Sequence, residues 1–217
     1  NSRVSLDGKG LALDVLGETR LVDVKQGRID AVIGRSGHQR AIRSLDIAPD
    51  GKLVASASDD KTANLWDAED GQSRLMLEGY TQAVHAVRFD ADGRHLVTCD
   101  EPGGLRLWQI GQGGTDAAVV WKHAPTTTAG DSESHSGPAW SAAFRSDGRV
   151  LATCGEDGTL RLWSAADGSA LHAVRLSEFP LRCLAFGPGD AWLAVGGSDG
   201  TLRLCDPETG KVRTSWD

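Results

Sequence analysis

The sequence predicts an all-β protein in which one short antiparallel unit is written five times. Two observations carry that expectation. Residues 37–67 hold three apolar runs, around Ile42, Leu45 and Ile47, then Leu53, Val54 and Ala55, then Leu65 and Trp66, split by turn residues and without a helical period. The same order of strand, Asp-Gly or Gly-Asp turn, strand, polar turn and strand recurs over residues 84–108, 139–163 and 181–205. Trp66 to Trp108 spans 42 residues and Trp163 to Cys205 again 42, whereas Trp108 to Trp163 spans 55, so one copy carries 13 extra residues.

Taken in order, the first copy is the faintest, with Asp7-Gly8 as a turn, a second strand over 11–14, a third over 19–23 and a fourth over 28–33. In the second copy the Pro49-Asp50-Gly51 turn joins two strands, Asp-Gly between apolar runs being a strong hairpin signal. Fourth strands follow over 73–77, 117–123, 170–176 and 211–216, which sets the units at 1–34, 38–78, 80–124, 135–176 and 178–217. The extra residues fall between Trp108 and His135, and the apolar-poor stretch 125–134 is expected to be a mobile loop. Asn1 reads as a cut inside a larger protein.

Composition agrees with many short strands and tight turns: of 217 residues 27 are Gly, and there is one Met and one Tyr. A net charge of −7 argues against nucleic acid and anionic membranes as partners. No signal peptide and no bilayer-length apolar run is present. The four Cys are scattered, and Cys99 and Cys154 follow Thr98 and Thr153 at matching places, as small packing residues would. That usage fits a reducing, cytoplasmic setting.

A period near 42 with Gly-His at one end and Trp-Asp at the other resembles the WD-repeat β-propeller family over nearly the whole chain. The resemblance implies a β-propeller of five four-stranded antiparallel blades. Propellers usually close by sharing a blade between the two termini, and no such strand is evident here. An open arc, or part of a larger propeller completed by further blades or domains of the parent chain, is therefore expected. The resemblance also implies a buried relay in which His, a hydroxyl, Asp and Trp bond in series. Carried over by spacing, the second blade supplies His38, Ser56, Asp60 and Trp66, and the fourth His135, Thr153, Asp157 and Trp163. The donor and acceptor chemistry is complementary, since indole only donates, carboxylate only accepts, and hydroxyl and imidazole do both. The third blade has Tyr80 and Pro102 in place of His and Asp; the fifth lacks the His, hydroxyl and Trp; the first has Ala12 and Val22. Apolar packing is expected to hold those three blades more than the relay does.

Ser56, His38 and Asp60 are also the residue types of a hydrolase triad, but the set recurs in two blades, sits mid-strand and serves a Trp. Residues 196–200 match G-x-S-x-G, yet a nucleophile elbow joins a strand to a helix, and here the motif joins two strands. The six His show no metal spacing, and Asp59-Asp60 lacks the run of oxygen ligands that calcium takes. No glycine-rich loop precedes a helix. The expectation is a protein without catalytic, metal or cofactor sites.

What remains is a surface. Five residues after the relay His position stand Arg43, His85, Trp140 and Arg182, each following an inward-pointing Ile42, Val84, Ala139 or Leu181, so alternation turns them outward. Asp59, Glu101 and Glu156 occupy matching turns. Trp and Arg are enriched at binding hot spots, and Trp140 is the strongest candidate. The mixture suits a protein or peptide segment with paired charges and an apolar anchor. Two functions follow: an interaction scaffold in a cytoplasmic assembly, or the ligand-sensing, regulatory propeller of a larger bacterial signalling NTPase or kinase.

Overall fold

The structure, a computed structural model, describes residues 38–124 and 134–217 in full, and of the first 37 residues the backbone of four strands. The turn expected at Asp7-Gly8, the side chains of Ala12 and Val22, and nearly all of the 125–134 loop lie outside the described residues. The strands are β1 (Ser2–Val4), β2 (Gly10–Val15), β3 (Glu18–Asp23), β4 (Arg28–Ile33), β5 (Ile42–Ile47), β6 (Leu53–Ser58), β7 (Ala63–Asp67), β8 (Ser73–Leu77), β9 (Val84–Phe89) and β10 (His95–Asp100). They continue as β11 (Leu105–Ile110), β12 (Ala117–His123), β13 (Ala139–Phe144), β14 (Val150–Gly155), β15 (Thr159–Ser164), β16 (Ala170–Arg175), β17 (Leu181–Phe186), β18 (Leu193–Gly197), β19 (Leu202–Cys205) and β20 (Val212–Trp216).

Every four consecutive strands form one antiparallel meander, giving five four-stranded sheets, each ending on its own first and fourth strand. These are propeller blades. The chain divides into two compact units, Asn1–Thr98 with Trp108–Val119, and Cys99–Leu107 with Val120–Asp217.

The turn between first and second strands is built the same way three times. In the second blade Gly51 N–H donates to Ala48 O at 2.8 Å, Ala48 N–H to Leu53 O at 2.9 Å, and the Asp50 carboxylate accepts from Lys52 N–H at 3.0 Å. The Gly is the fourth residue, at φ 74, rather than a central residue of a two-residue turn. Asp92-Gly93 and Asp147-Gly148 repeat it, with Arg94 and Arg149 N–H on the Asp carboxylates.

Within each unit neighbouring sheets bury small residues against large ones. In the first, Ala55, Ala57, Ala63 and Leu65 pack with Val84, Val87, Leu96 and Trp108. In the second, Ala152, Cys154, Leu160 and Leu162 pack with Leu181, Leu184, Leu193 and Val195. Small side chains on one sheet let large ones on the next interdigitate. Cys154 is part of this packing, and burial pushes its thiol well above the ordinary range, so it stays neutral.

Candidate functional site

Two groups of residues stand out, one buried inside blades and one at their rim. In the second blade Trp66 Nε1–H donates to Ser56 Oγ at 2.8 Å, Ser56 Oγ lies 2.7 Å from His38 Nε2, and His38 Nδ1 lies 2.9 Å from Asp60. The fourth blade repeats the chain through Trp163, Thr153, His135 and Asp157 at 2.8, 2.9 and 3.0 Å. With Nδ1–H donating to Asp, Nε2 accepts the hydroxyl proton, and the hydroxyl oxygen accepts from the indole. Asp60 and Asp157 also accept from the backbone N–H of Gln39 and Ser136 and from Thr62 and Thr159, so each ties the blade entrance to the β6–β7 or β14–β15 turn. Both Trp rings are buried at 1% and 0% exposure, so the hydroxyl has no route to a substrate. The geometry is that of an internal tie rather than a nucleophile.

The third blade differs from what its sequence suggests. Tyr80 stands in the His position, and its hydroxyl donates to Thr98 Oγ1 at 2.8 Å, while Trp108 Nε1–H lies 3.1 Å from both oxygens. A phenol also donates and accepts and reaches the same hydroxyl, so a polar tie persists in a blade that apolar packing was expected to hold more than the relay. Tyr80→Phe should therefore cost about 1 kcal/mol in urea melts, the net worth of the buried hydrogen bonds the phenol makes, since Trp108 keeps Thr98 as its acceptor. No loss on Tyr80→Phe would show that packing alone holds this blade. In the fifth blade Ser177 Oγ donates to Asp199 at 2.7 Å and Arg203 pairs with the same carboxylate at 2.5 Å, whereas Val195 and Cys205 are simply buried.

These ties set a pH dependence. Burial lowers the pKa of His38 and His135, outweighing the opposing pull of Asp60 and Asp157. Burial raises the Asp157 carboxyl, but hydrogen bonds from His135 and Thr159 together hold it well below the usual carboxylate range. The unfolded chain therefore binds more protons than the native one once pH falls below about 6.5, the ordinary imidazole value. Stability present above that value is lost as pH falls through the lowered His pKa values, and the Asp contribution is lost further down, below about 4. The melting temperature should fall between about pH 7.5 and about pH 5.5. A melting temperature that holds or rises over that interval would contradict neutral, buried imidazoles.

The rim group is organised by β-bulges. Between β5 and β6 the pairing passes from Ile42↔Ser58 to Ser44↔Ala57, between β13 and β14 from Ala139↔Gly155 to Ser141↔Cys154, and between β17 and β18 from Leu181↔Gly197 to Cys183↔Gly196. The skipped residues are Arg43, Trp140 and Arg182. A bulge breaks the ladder and re-aims the extra side chain, so it is the bulge and not simple alternation that turns these residues outward. A signal for it was in the sequence: the buried pairs Ile42 and Leu45, Ala139 and Ala142, and Leu181 and Leu184 lie three apart, which a regular strand cannot place on one face.

Each bulge sits beside the turn between second and third strands, which backbone bonds join to the blade entrance: Asp59 N–H to Ala41 O, Glu156 N–H to Pro138 O and Ser198 N–H to Pro180 O, at 2.8 to 3.0 Å. In the first unit Arg43 makes a two-armed ion pair with Asp59, Nε–Oδ1 at 2.7 Å and Nη2 to Oδ2. His85 is half-buried in the same unit, and the exposed Glu101 belongs to the second. In the second unit Trp140 Nε1–H donates to Glu156 Oε2 at 2.8 Å. The Arg182 guanidinium lies 4.4 Å above the Trp140 ring, donates from Nε to Ser198 Oγ at 3.0 Å, and reaches Glu156 at 3.5 Å. Phe179, three residues before Arg182 on the entrance loop, is 57% exposed. Sequence reasoning missed Phe179 and Ser198; Phe179 occupies the place of Arg40, Gln82 and Gly137 in sister blades, and an aromatic at such a place was the available signal.

A model of the family described as WD domain, G-beta repeat matches four stretches, residues 31–67, 71–109, 128–164 and 172–206, more than half of the chain. The DENN domain and WD repeat-containing protein SCD1 of Arabidopsis thaliana is 26% identical over 87% of this chain and 14% of its own length. Apoptotic protease-activating factor 1 of Rattus norvegicus is 24% identical over 92% of this chain and 15% of its own length. Nuclear distribution protein PAC1 of Arthroderma otae is 29% identical over 78% of this chain and 41% of its own length. The chain thus spans less than half the length of these relatives. Among the described residues no helix is long and apolar enough to cross a membrane. Repeat spacing, blade topology and the family model agree, and the chain belongs to the WD-repeat family.

Proposed function

We propose that this chain is a non-catalytic, cytoplasmic scaffold that binds a protein or peptide segment at the rim formed by the blade entrances and the second turns. The observation that supports it best is the repeated bulge. Three blades break a strand ladder at the same place, and each fills it with a residue unlike its sisters or differently partnered. A purely structural device would have no reason to vary. The buried ties, by contrast, are alike in the second and fourth blades. Trp140, Arg182 and Glu156 form an aromatic and charged cluster on the second unit's rim, with Phe179 exposed on the entrance loop and Arg43, His85, Asp59 and Glu101 as further contacts on their own units.

Selection of a random displayed peptide library against the 217-residue chain tests this. Enriched peptides should lose about thirtyfold or more in affinity on Trp140→Ala, the hot-spot range. Asp92→Ser, on a turn at the other end of the third blade, should leave affinity unchanged. Peptides that bind Trp140→Ala as well as the parent, or that lose affinity on Asp92→Ser, would refute the site. Attachment to a larger bacterial signalling NTPase or kinase is the alternative, and a P-loop or kinase signature elsewhere in the parent chain would favour it.

The fifth blade favours further blades or domains as a second kind of partner. Leu202 is 45% exposed and Trp216 51%, on the face whose counterpart in the fourth blade holds Leu160 at 0% beneath the fifth. Cys183 lies on that open face through its pairing with Gly196 and Leu202. Alkylation of Cys183 should be fast in this chain and slow in a longer parent protein; equal rates would reject a covering blade.

A further inference from the structure

The rim cluster also carries a statement about the chemistry of the partner, one that rests on the reading just proposed. Three blades place an acid sixteen residues after the rim residue of the first strand: Asp59 after Arg43, Glu101 after His85 and Glu156 after Trp140. The fifth blade places the neutral Ser198 sixteen residues after Arg182. The consequence is visible in the hydrogen bonds. Arg43 has Nε and one terminal nitrogen closed on the two oxygens of Asp59. Arg182 spends Nε on a hydroxyl, and its sole ion pair among the described residues is a 3.5 Å approach to Glu156 of the neighbouring blade. Glu156 in turn already accepts from the Trp140 indole.

The Arg182 guanidinium is thus held over the Trp140 ring at 4.4 Å, anchored at Nε, and 46% exposed at its side chain, with Nη2 engaged only by the 3.5 Å approach to Glu156 and Nη1 turned to no partner among the described residues. Stacking and anchoring remove the rotamer freedom that an exposed Arg loses on binding. A planar fork fixed in this way matches a carboxylate in two-armed geometry. Phe179, three residues before Arg182 on the entrance loop, is an exposed apolar side chain at 57%.

We infer that Arg182 is the anion-reading residue of the rim, and that the partner is a linear peptide segment that presents an Asp or Glu carboxylate to Arg182 next to an apolar residue. Glu156 is shared by the Trp140 indole and the Arg182 guanidinium, and the Arg43–Asp59 ion pair is closed inside the protein, so neither acid asks anything of a partner. The position left open by Ser198 is the one that does.

Two displayed libraries of random dodecapeptides test this, one complete and one lacking Asp and Glu. The complete library should yield binders whose affinity falls about tenfold or more when their acid is changed to the amide. The same loss should follow Arg182→Gln in the protein, with a smaller loss on Arg182→Lys. Ser198→Asp is the sharpest variant: it restores the pattern of the second blade, closes the fork from within, and should abolish acid-dependent binding while leaving the melting temperature unchanged or raised. Binders from the acid-free library that are equally tight, or binding untouched by Ser198→Asp, would overturn the inference. If such peptides still lose binding on Trp140→Ala, the rim stands as the site and the anionic partner alone falls; if they do not, the rim falls with it. Replacing the peptide's acid by phosphoserine separates the two sources of a forked anion: equal or weaker binding assigns a carboxylate, and markedly tighter binding reassigns the fork to a phosphopeptide.

Discussion

Trp163→Ala lowers the free energy of unfolding by about 3–5 kcal/mol, and Trp66→Ala by a similar amount. Both rings are buried, at 0% and 1% exposure, so truncation leaves a large cavity between strands that cannot collapse. It also removes the one donor that Thr153 or Ser56 receives from the indole, at 2.8 Å in each case. His123 packs against the Trp163 ring at 4.8 Å and is itself tied to Gly168 O through Nε2 at 2.7 Å. Trp216 is the matched control, because it is 51% exposed on the last strand and has little cavity to leave. Denaturant melts of the three variants should therefore separate into two large losses and one small one. Equal losses at all three would mean that the buried ties do not carry the blades.

Gly158→Ala is the second large effect, at about 2–4 kcal/mol. Gly158 sits at φ 68 in the turn between β14 and β15, and a Cβ there would lie 2.1 Å from Ser177 O and 3.0 Å from Phe179 O. The backbone approaches so closely because Gly158 O accepts from Leu176 and Ser177 N–H, at 2.9 and 3.3 Å, which clasps the turn to the fifth blade's entrance. Gly200 holds the same turn position one blade later, at φ 81 with nothing within 4 Å of its Cβ site. Gly200→Ala should cost only about 1 kcal/mol, the left-handed conformation alone. Lys61 already shows that a side chain is tolerated at this turn position, at φ 72 in the second blade. Thermal melts that rank Gly200→Ala at or above Gly158→Ala would contradict a clasp between turn and entrance.

The blades were legible because each element repeats its chemistry at a fixed interval. Trp66, Trp108, Trp163 and Cys205 mark the third strand of successive sheets, and Asp50-Gly51, Asp92-Gly93 and Asp147-Gly148 mark the first turn. The buried ties were legible for the same reason, since His38, Ser56, Asp60 and Trp66 meet through strand register, which spacing encodes. Tyr80 was not, because a phenol reaches the same hydroxyl from the same position while changing the letter. The rim was legible only in part. Its residues could be placed, but the bulge that turns them outward shows in sequence solely as buried residues three apart. The stacking of Arg182 on Trp140, with Glu156 bonded to the indole and near the guanidinium, joins two blades, and no spacing within one repeat records a contact between two. Ser198 gained its meaning only once Arg182 was seen to point at it.

Deuterium exchange of the chain with and without one selected peptide tests the central claim most directly, because it reports which end of the blades a partner covers. The account predicts slowed exchange at the entrance loops and second turns of the second unit, around Phe179, Arg182, Glu156 and Ser198, with the Asp147-Gly148 turn unchanged. Protection confined to the Asp-Gly turns, with the Trp140 and Arg182 region exchanging as fast as in the free chain, would contradict it.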